Sequence, residues 1–587
     1  MSQASKRKIH PAWLMLLIGT VGAIFYMNSL DGEFVWDDLS LIKNNYFLHG
    51  DVPIIKIFSQ SIRAGAGVKG DTFYRPIQIL SYIWDYKIAG LDVRMYHATS
   101  VIVHILVGVS LFWLFYLVTE RRGLSLVGAL LYTVHPLHTE AVSYISGRAD
   151  PLMALFMLWA FGLYIMSRKR TRPVLLILSY MCYVGALLSK EYALILPIFL
   201  ILYHMSFHEK IPWKNLIGFF ALGLLFLVVR SNLVESSHDP AFIPPSFLER
   251  IPGIFVAFVQ YLKLIFWPMG LHMEYGGKYF DYSYGLMWVG LAVFIGFLTI
   301  LKQSKKKNPL VFFGLSWFLI GLIPHSNIIP LNAYMAEHWL YVPLMGFILA
   351  FVCGVDRLKI SPRSKSILAG LLICLLGFLT VRQNQVWQTP VTLYEHTLKY
   401  SRDSSRVMNN LGVIYFKQGQ KEKAIRLFEN AIRVEPRNIN PYSNLGNAYR
   451  NKGQFEKALA LYKKVLQITP DDAGVYSNIG NIYLDQGLLE EAERYYKKAV
   501  SVNPYHATSF NNLGLVYFKK SDLPISEKMF LKALSLNPHY AEACYTLSLI
   551  YYELGRMKDA ILYFDRAKSL GYSSPDFAEI LKSHRTR

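Results

Sequence analysis

Apolar residues gather in long runs over the first two thirds of the chain and recur at helical spacing over the last third. The runs lie near 13–30, 97–118, 124–142, 151–167, 173–189, 192–207, 214–232, 253–270, 284–301, 309–324, 338–355 and 365–381, most of them 16–20 residues long. At 1.5 Å per residue each spans roughly 25–30 Å, enough to cross a bilayer core. No run of that length follows residue 391. The pattern predicts an all-α chain, a polytopic membrane helix bundle followed by a superhelix of repeats. Its expected segments are a membrane module over 1–383, a connector with a partial repeat over 384–404, five repeats over 405–572, and a terminal cap over 573–587.

The repeats are read from a 34-residue period. Gly412, Gly446, Gly480 and Gly514 continue as Ser548, and Tyr415, Tyr449, Tyr483, Tyr517 and Tyr551 keep step. So do Phe428, Tyr462, Tyr496, Phe530 and Phe564, with Pro436, Pro470, Pro504 and Pro538 closing four units. This is the tetratricopeptide signature. Small residues let paired helices approach, aromatics fill the space between them, and proline ends each second helix. Asn410, Asn444, Asn478 and Asn512 recur at one position. Asparagine is a poor helix former, so the ladder either binds an extended acceptor polypeptide or is a packing feature of the repeat.

Composition and charge sharpen the membrane reading. Hydrophobic residues make up 53% of the chain and charged ones 17%, a balance foreign to one soluble domain. The net charge of +21 is carried largely by five short clusters: Lys6–Lys8, Arg121–Arg122, Arg168–Arg172, Lys302–Lys307 and Arg357–Lys365. Basic residues clustered in short loops mark the cytoplasmic side, and this distribution argues against nucleic acid as a partner. The N-terminus is then cytoplasmic. The first run ends in SLDGEF without a small-residue cleavage site, as a retained helix would. Placing Lys302–Lys307 inside requires that 253–270, which holds Gln260 and Lys263, not cross fully. About eleven crossings follow, with the repeats on the periplasmic or lumenal side. The four cysteines show no disulfide or metal spacing.

Candidate chemistry lies at the outer helix ends. Asp37 and Asp38 follow the first run, and two aspartates there either serve acid/base chemistry or mark a polar loop. The outer segment 31–96 is long, and Pro53–Arg63, with Ile54, Phe58 and Ile62 at helical spacing, predicts an amphipathic helix. Tyr74–Gly90 predicts a second. The stretch HPLHTEAVSYISGRADP sets His135, His138, Glu140, Arg148 and Asp150 together, and Lys190–Glu191 and Glu337–His338 stand at two further outer ends. Ionisable groups at membrane depth are expensive and usually functional, though pairs of them also serve as interface anchors. Transfer from a lipid-linked phosphate ester fits: a carboxylate accepts the acceptor's proton, and cations hold the leaving phosphate. Asp37 or Asp38 suits the first role. Arg75, His135, His138, Arg148 and Lys190 suit the second, with Glu140, Asp150, Glu191, Glu337 and His338 supporting. No cofactor is required. His135 and His138 with a carboxylate are of zinc-ligand type, but lack a closed-site spacing.

The motifs VWDD, YRP, YHATSVIVH, VHPLHTEAVSYISGRAD, LSKE and AEHWLYVPLMGF, in this order ahead of repeats, resemble the transmembrane and tetratricopeptide-repeat O-mannosyltransferases. More broadly they resemble the GT-C class of polyprenyl-phosphate-sugar glycosyltransferases. The resemblance implies a multi-spanning enzyme with an acidic residue in its first outer loop, matched by Asp37 and Asp38, and inversion at the anomeric centre. It implies transfer of a mannose-like sugar to an acceptor hydroxyl, such as a protein Ser/Thr. Where eukaryotic relatives usually place an acid and Arg before an LY dipeptide, this chain has Glu337–His338. A non-catalytic membrane scaffold for envelope proteins and a transferase for an envelope glycan or lipid are the competing expectations. The charge pattern makes a direct prediction. A reporter active only outside the cytoplasm, fused after Arg587, should be active, and signal from a cytoplasmic reporter alone would refute the orientation.

Overall fold

A computed structural model describes residues 10–50, 52–66, 73–234, 246–276, 280–331, 333–572 and 574–585. The basic cluster Lys6–Lys8 lies outside the described residues. Two compact units divide the chain, Met1–Arg402 and Asp403–Arg587. Among the described residues both are helical, without strands.

The first unit holds α1 (Pro11–Tyr26), α2 (Tyr46–His49), α3 (Ile54–Ile57), α4 (Pro76–Ala89), α5 (Val93–Thr119), α6 (Arg122–Thr133) and α7 (Thr139–Val142). These are followed by α8 (Ala149–Arg170), α9 (Pro173–Ser189), α10 (Leu196–Ser206), α11 (Trp213–Leu233) and α12 (Phe247–Phe266). Then come α13 (Gly285–Lys307), α14 (Pro309–Leu322), α15 (Pro343–Asp356), α16 (Pro362–Val386) and α17 (Pro390–Tyr400). Among the described residues, six helical stretches are long and apolar enough to cross a membrane: Pro11–Ser29, Val93–Thr119, Ile145–Arg170, Trp213–Leu233, Gly285–Lys307 and Pro362–Val386. Pro173–Ser189, Glu191–Ser206, Pro309–His325 and Pro343–Asp356 are shorter apolar helices, and α12 falls in neither group. The chain is a membrane protein on this evidence.

Proline explains many of the boundaries. It stands at the first turn of α1, α4, α9, α10, α14, α15, α16 and α17, where its missing N–H would be unpaired in any case. Pro136 does the opposite. The apolar run 124–142 reads as one helix, but α6 ends at Thr133 and the chain breaks into short turns. A second departure is the expected amphipathic helix over Pro53–Arg63. Only Ile54–Ile57 is helical, and Ile57 and Ile62 are buried while Ile54 is exposed. The buried face is therefore not the one the spacing of Ile54, Phe58 and Ile62 predicts. The stretch Tyr74–Gly90 does form a helix, α4, which buries Ile79, Tyr82 and Asp85.

The second unit is a run of antiparallel helix pairs. They are α18 (Ser405–Lys417) with α19 (Lys421–Val434), α20 (Ile439–Arg450) with α21 (Phe455–Ile468), and α22 (Ala473–Asp485) with α23 (Leu489–Val502). They continue as α24 (Ala507–Lys519) with α25 (Leu523–Leu536), α26 (Ala541–Glu553) with α27 (Met557–Ser569), and a terminal α28 (Pro575–Arg585). The repeating glycine is sterically required. A Cβ on Gly446 would stand 2.5 Å from the Tyr462 ring, and on Gly480 2.7 Å from that of Tyr496. Each aromatic of the second helix therefore lies flat against the backbone of the first, fully buried at Tyr462 and Tyr496.

Candidate functional site

Irregular backbone at the ends of membrane helices must find its hydrogen-bond partners within the protein. The segment 135–150 does so element by element. His135 Nδ1 accepts from the Leu137 amide at 3.3 Å, so Nε2 carries the proton and donates to the Ile265 carbonyl at 3.1 Å. Glu140 accepts from the backbone N–H of His338 at 2.8 Å and faces His338 Nδ1 at 2.8 Å. Ser143 donates to Asn384 at 2.8 Å. Tyr82 donates to the Ile145 carbonyl at 3.0 Å and Gln78 to the Ser146 carbonyl at 2.8 Å. A Cβ on Gly147 would collide with the Glu140 carbonyl oxygen, so only glycine lets the turn close on α7.

This segment also fixes the aspartate pair. Asp38 is fully buried and its carboxylate accepts three hydrogen bonds. It accepts from the Val35 amide at 3.0 Å, the Ser146 amide at 2.8 Å and the Ser146 hydroxyl. Burial pushes the Asp38 carboxyl from 3.8 to about 7, against these three donors, and the Asp37 charge adds to the rise. Asp37 differs. Its side chain is 35% exposed and pairs with Arg63 at 3.4 Å, while its backbone N–H donates to the Tyr144 hydroxyl at 3.3 Å. Trp36, between Val35 and Asp37, sits at φ 50, a left-handed conformation uncommon for a bulky residue and often found at functional sites. Its ring meets Tyr394 of α17 edge-on at 5.6 Å.

The expected phosphate ligands separate into different environments. Arg75 is partly exposed and forms a forked pair with Glu191, at 2.9 and 3.3 Å. Lys190 is buried against both oxygens of Asp150, at 2.8 Å each. Arg148 is fully buried, with every nitrogen engaged. It donates to Asp85 at 2.6 Å, Ser81 at 3.1 Å, Ser100 at 3.0 Å and the Tyr96 carbonyl at 2.6 Å. Four of its five N–H donors are thus engaged within the protein, and the guanidinium forms an internal clamp. The arginine of the HPLHTEAVSYISGRADP stretch is thus clamped internally. His135 and His138 are also buried, and His138 lies among the rings of Tyr132, Tyr341 and His104.

Glu337 is buried and accepts from the His272 amide and the Tyr275 hydroxyl at 2.6 Å. Burial and the nearby Glu140 push its carboxyl well above the carboxylate range. Burial also raises Glu140, but the His338 charge and hydrogen bonds outweigh it and leave Glu140 below its ordinary value. Next to Glu337, a cavity of about 250 Å³ is lined by Gln260, Lys263, His272, Glu274, Tyr275 and Tyr334, among others. Among the described residues, no three His, Cys, Asp or Glu side chains are placed to hold a metal.

Asp37, Arg63, Arg75, Glu191 and His338 are among the partly exposed ionisable groups at this end of the unit. Sequence reading overlooks Arg63, whose signal is a basic residue in the same outer segment as the aspartates, and Ser146, whose signal is its place between two charged motifs. In the repeats, Asn444 donates to Asn409 at 2.8 Å and Asn512 to Asn481 at 2.9 Å. Two amides of the ladder thus tie adjacent repeats together while staying half-buried.

Tetratricopeptide-repeat models match residues 412–453, 446–487, 473–506 and 511–575. The chain is similar to protein O-mannosyl-transferase F38B6.6 of Caenorhabditis elegans, 27% identical over 435 residues, 70% of this chain and 61% of the relative. It is equally similar to protein O-mannosyl-transferase TMTC3 of Mus musculus, 27% identical over 464 residues, 70% of this chain and 50% of the relative. The chain spans about half to three fifths of the length of these curated relatives. The resemblance read from the motifs therefore extends to named O-mannosyl-transferases. Among solved structures, a tetratricopeptide-repeat protein of Thermus thermophilus matches 31% of this chain and all of its own, with 24% identity and a TM-score of 0.28.

Two outcomes test the clamp. Arg148→Met leaves Asp85 buried and unpaired and should destabilise the fold by about 3–5 kcal/mol, seen as a lower thermal midpoint of the solubilised chain. An arginine that served only a ligand would leave the midpoint unchanged. Because its carboxyl is raised on folding, Asp38 contributes stability below its unfolded value that is lost as pH rises from 3.8 to about 7. Asp38→Asn should flatten that part of the stability profile, and an unchanged slope would assign it elsewhere.

Proposed function

We propose that this chain is an inverting membrane glycosyltransferase of GT-C type. It moves a mannose-like sugar from a polyprenyl-phosphate donor to a Ser or Thr hydroxyl of a polypeptide held by the repeats. The observation that carries the reading is the contrast between the two aspartates. Asp38 is taken up by Val35 and Ser146, whereas Asp37 presents a partly exposed carboxylate beside Arg63. The names of the similar proteins support both the sugar and the protein acceptor.

In this mechanism the acceptor oxygen attacks the anomeric carbon as the bond from that carbon to the phosphate oxygen breaks. The acceptor proton passes to Asp37, acting as general base. The bonding pair leaves with the phosphate, whose charge Arg75 and Arg63 stabilise. A guanidinium suits this role because its fork is bidentate to phosphate. The Arg75–Glu191 pair opens to take the donor, and the Glu140–His338 pair holds the neighbouring outer turn in place. The repeats stand on the same outer side of the membrane as Asp37, and the asparagine ladder hydrogen-bonds the acceptor backbone.

Asp37→Asn keeps size and polarity but cannot take the proton. It should slow transfer from a polyprenyl-phosphate donor by roughly 10²–10⁴-fold with the thermal midpoint unchanged. Near wild-type turnover would move the base to another carboxylate. Asn444→Ala with Asn478→Ala should weaken transfer to a long polypeptide more than to a short peptide. An equal effect on both acceptors would make the ladder purely structural.

A further inference from the structure

At the opposite helix ends from Asp37 lies a concavity of about 650 Å³ between α6, α15 and α16. Its walls are apolar: Leu124, Val127 and Leu131 of α6, Val352 of α15, and Leu368 and Leu372 of α16. Its mouth is charged, with Arg121, Asp356 and Lys365 on the rim. Arg121 pairs with Asp356 at 2.5 and 3.1 Å, and Lys365 donates to the Asp356 carbonyl. The Asp356 carboxylate is thus paired with Arg121 while Lys365 is held at the Asp356 backbone carbonyl, and Arg357, Lys359 and Arg363 stand in the adjoining loop and helix start.

The dimensions point to one occupant. From Pro362 to Leu372 the α16 wall is about 15 Å long at 1.5 Å per residue. That is half of a roughly 30 Å hydrocarbon core, the depth of one leaflet. The groove thus offers a single leaflet's acyl chain an apolar slot and meets the headgroup with excess positive charge. Basic pockets between membrane helices on the cytoplasmic side bind anionic headgroups. A polyprenyl-phosphate donor placed here would carry its phosphate at the wrong end of the bundle for Asp37.

We propose that the groove between α6, α15 and α16 is a binding site for an anionic phospholipid of the inner leaflet. The three helices that form it lead directly into the outer site. The stretch beginning at His135 follows α6, Glu337–His338 precedes α15, and α16 carries Asn384, the partner of Ser143. A lipid seated there braces the helices that position the outer turns. The site is independent of the proposed transfer activity.

The test uses the full chain in lipid nanodiscs, with phosphatidylglycerol and phosphatidylcholine as competing probes and native mass spectrometry as the readout. Gly123 lines the groove, and a Cβ added there meets no atom within 4 Å, so Gly123→Trp fills it without disturbing the backbone. The wild-type chain should retain phosphatidylglycerol, and Gly123→Trp should lose it. Arg121→Gln with Lys365→Gln should reduce the preference for phosphatidylglycerol by about tenfold or more. Equal retention of the two lipids by the wild type, unchanged retention by Gly123→Trp, or a polyprenyl phosphate as the retained lipid would each overturn the proposal. A thermal midpoint of Gly123→Trp that phosphatidylglycerol still raises as in the wild type would also overturn it.

Discussion

The membrane unit depends on a break that proline imposes. Pro136 cannot continue α6, and the released backbone lies where water is scarce, so the backbone polar groups of 135–150 must be met by protein. The result is a hub. Asp38, Gln78, Tyr82, Asp85, Lys190, Ile265, His338 and Asn384 converge on it from separate parts of the sequence. None of these elements is placed by hydrophobic contact alone.

Buried ion pairs are a poor source of net stability, since desolvation offsets most of the attraction. Arg148–Asp85 and Lys190–Asp150 are better understood as devices of register. A single guanidinium bonded to α4, α5 and the α8 start fixes how those three helices slide against one another, a role a leucine could not fill. Such pairs also sort the charges of the site. Arginine and lysine locked inside hold the frame, while Asp37, Arg63, Arg75 and His338 keep some access to solvent.

The repeat unit was fully legible because its period, its small residues and its aromatics are local facts of sequence, and the Gly446–Tyr462 contact is what they encode. The apolar runs marked most membrane helices for the same reason, but not their number: 124–142 breaks at Thr133, and six stretches among the described residues are long enough to cross. The site was legible only in part. Residue type marked Arg148 as functional, but whether an arginine meets a ligand or an Asp depends on partners 63 residues away, which no spacing rule reveals. Likewise Ser146 draws Asp38 inward from across 108 residues, and that decides which of two adjacent aspartates remains available. The short α3 shows the converse, where a helical pattern of isoleucines yields to the demands of the surrounding loop.

The loop that carries Asp37 is also tied to the far end of the unit. The Glu33 amide donates to the Gln388 carbonyl at 2.7 Å, and Gln388 reaches the Asn28 carbonyl across 360 residues. During synthesis at roughly 5–20 residues per second, the loop waits on the order of 20–70 s between its own emergence and that of its last partners. Assembly of the site is therefore a late event in biogenesis. Until α16 and α17 have been made, a nascent chain holds its two aspartates in a loop without its final anchor, and a truncated chain never acquires it.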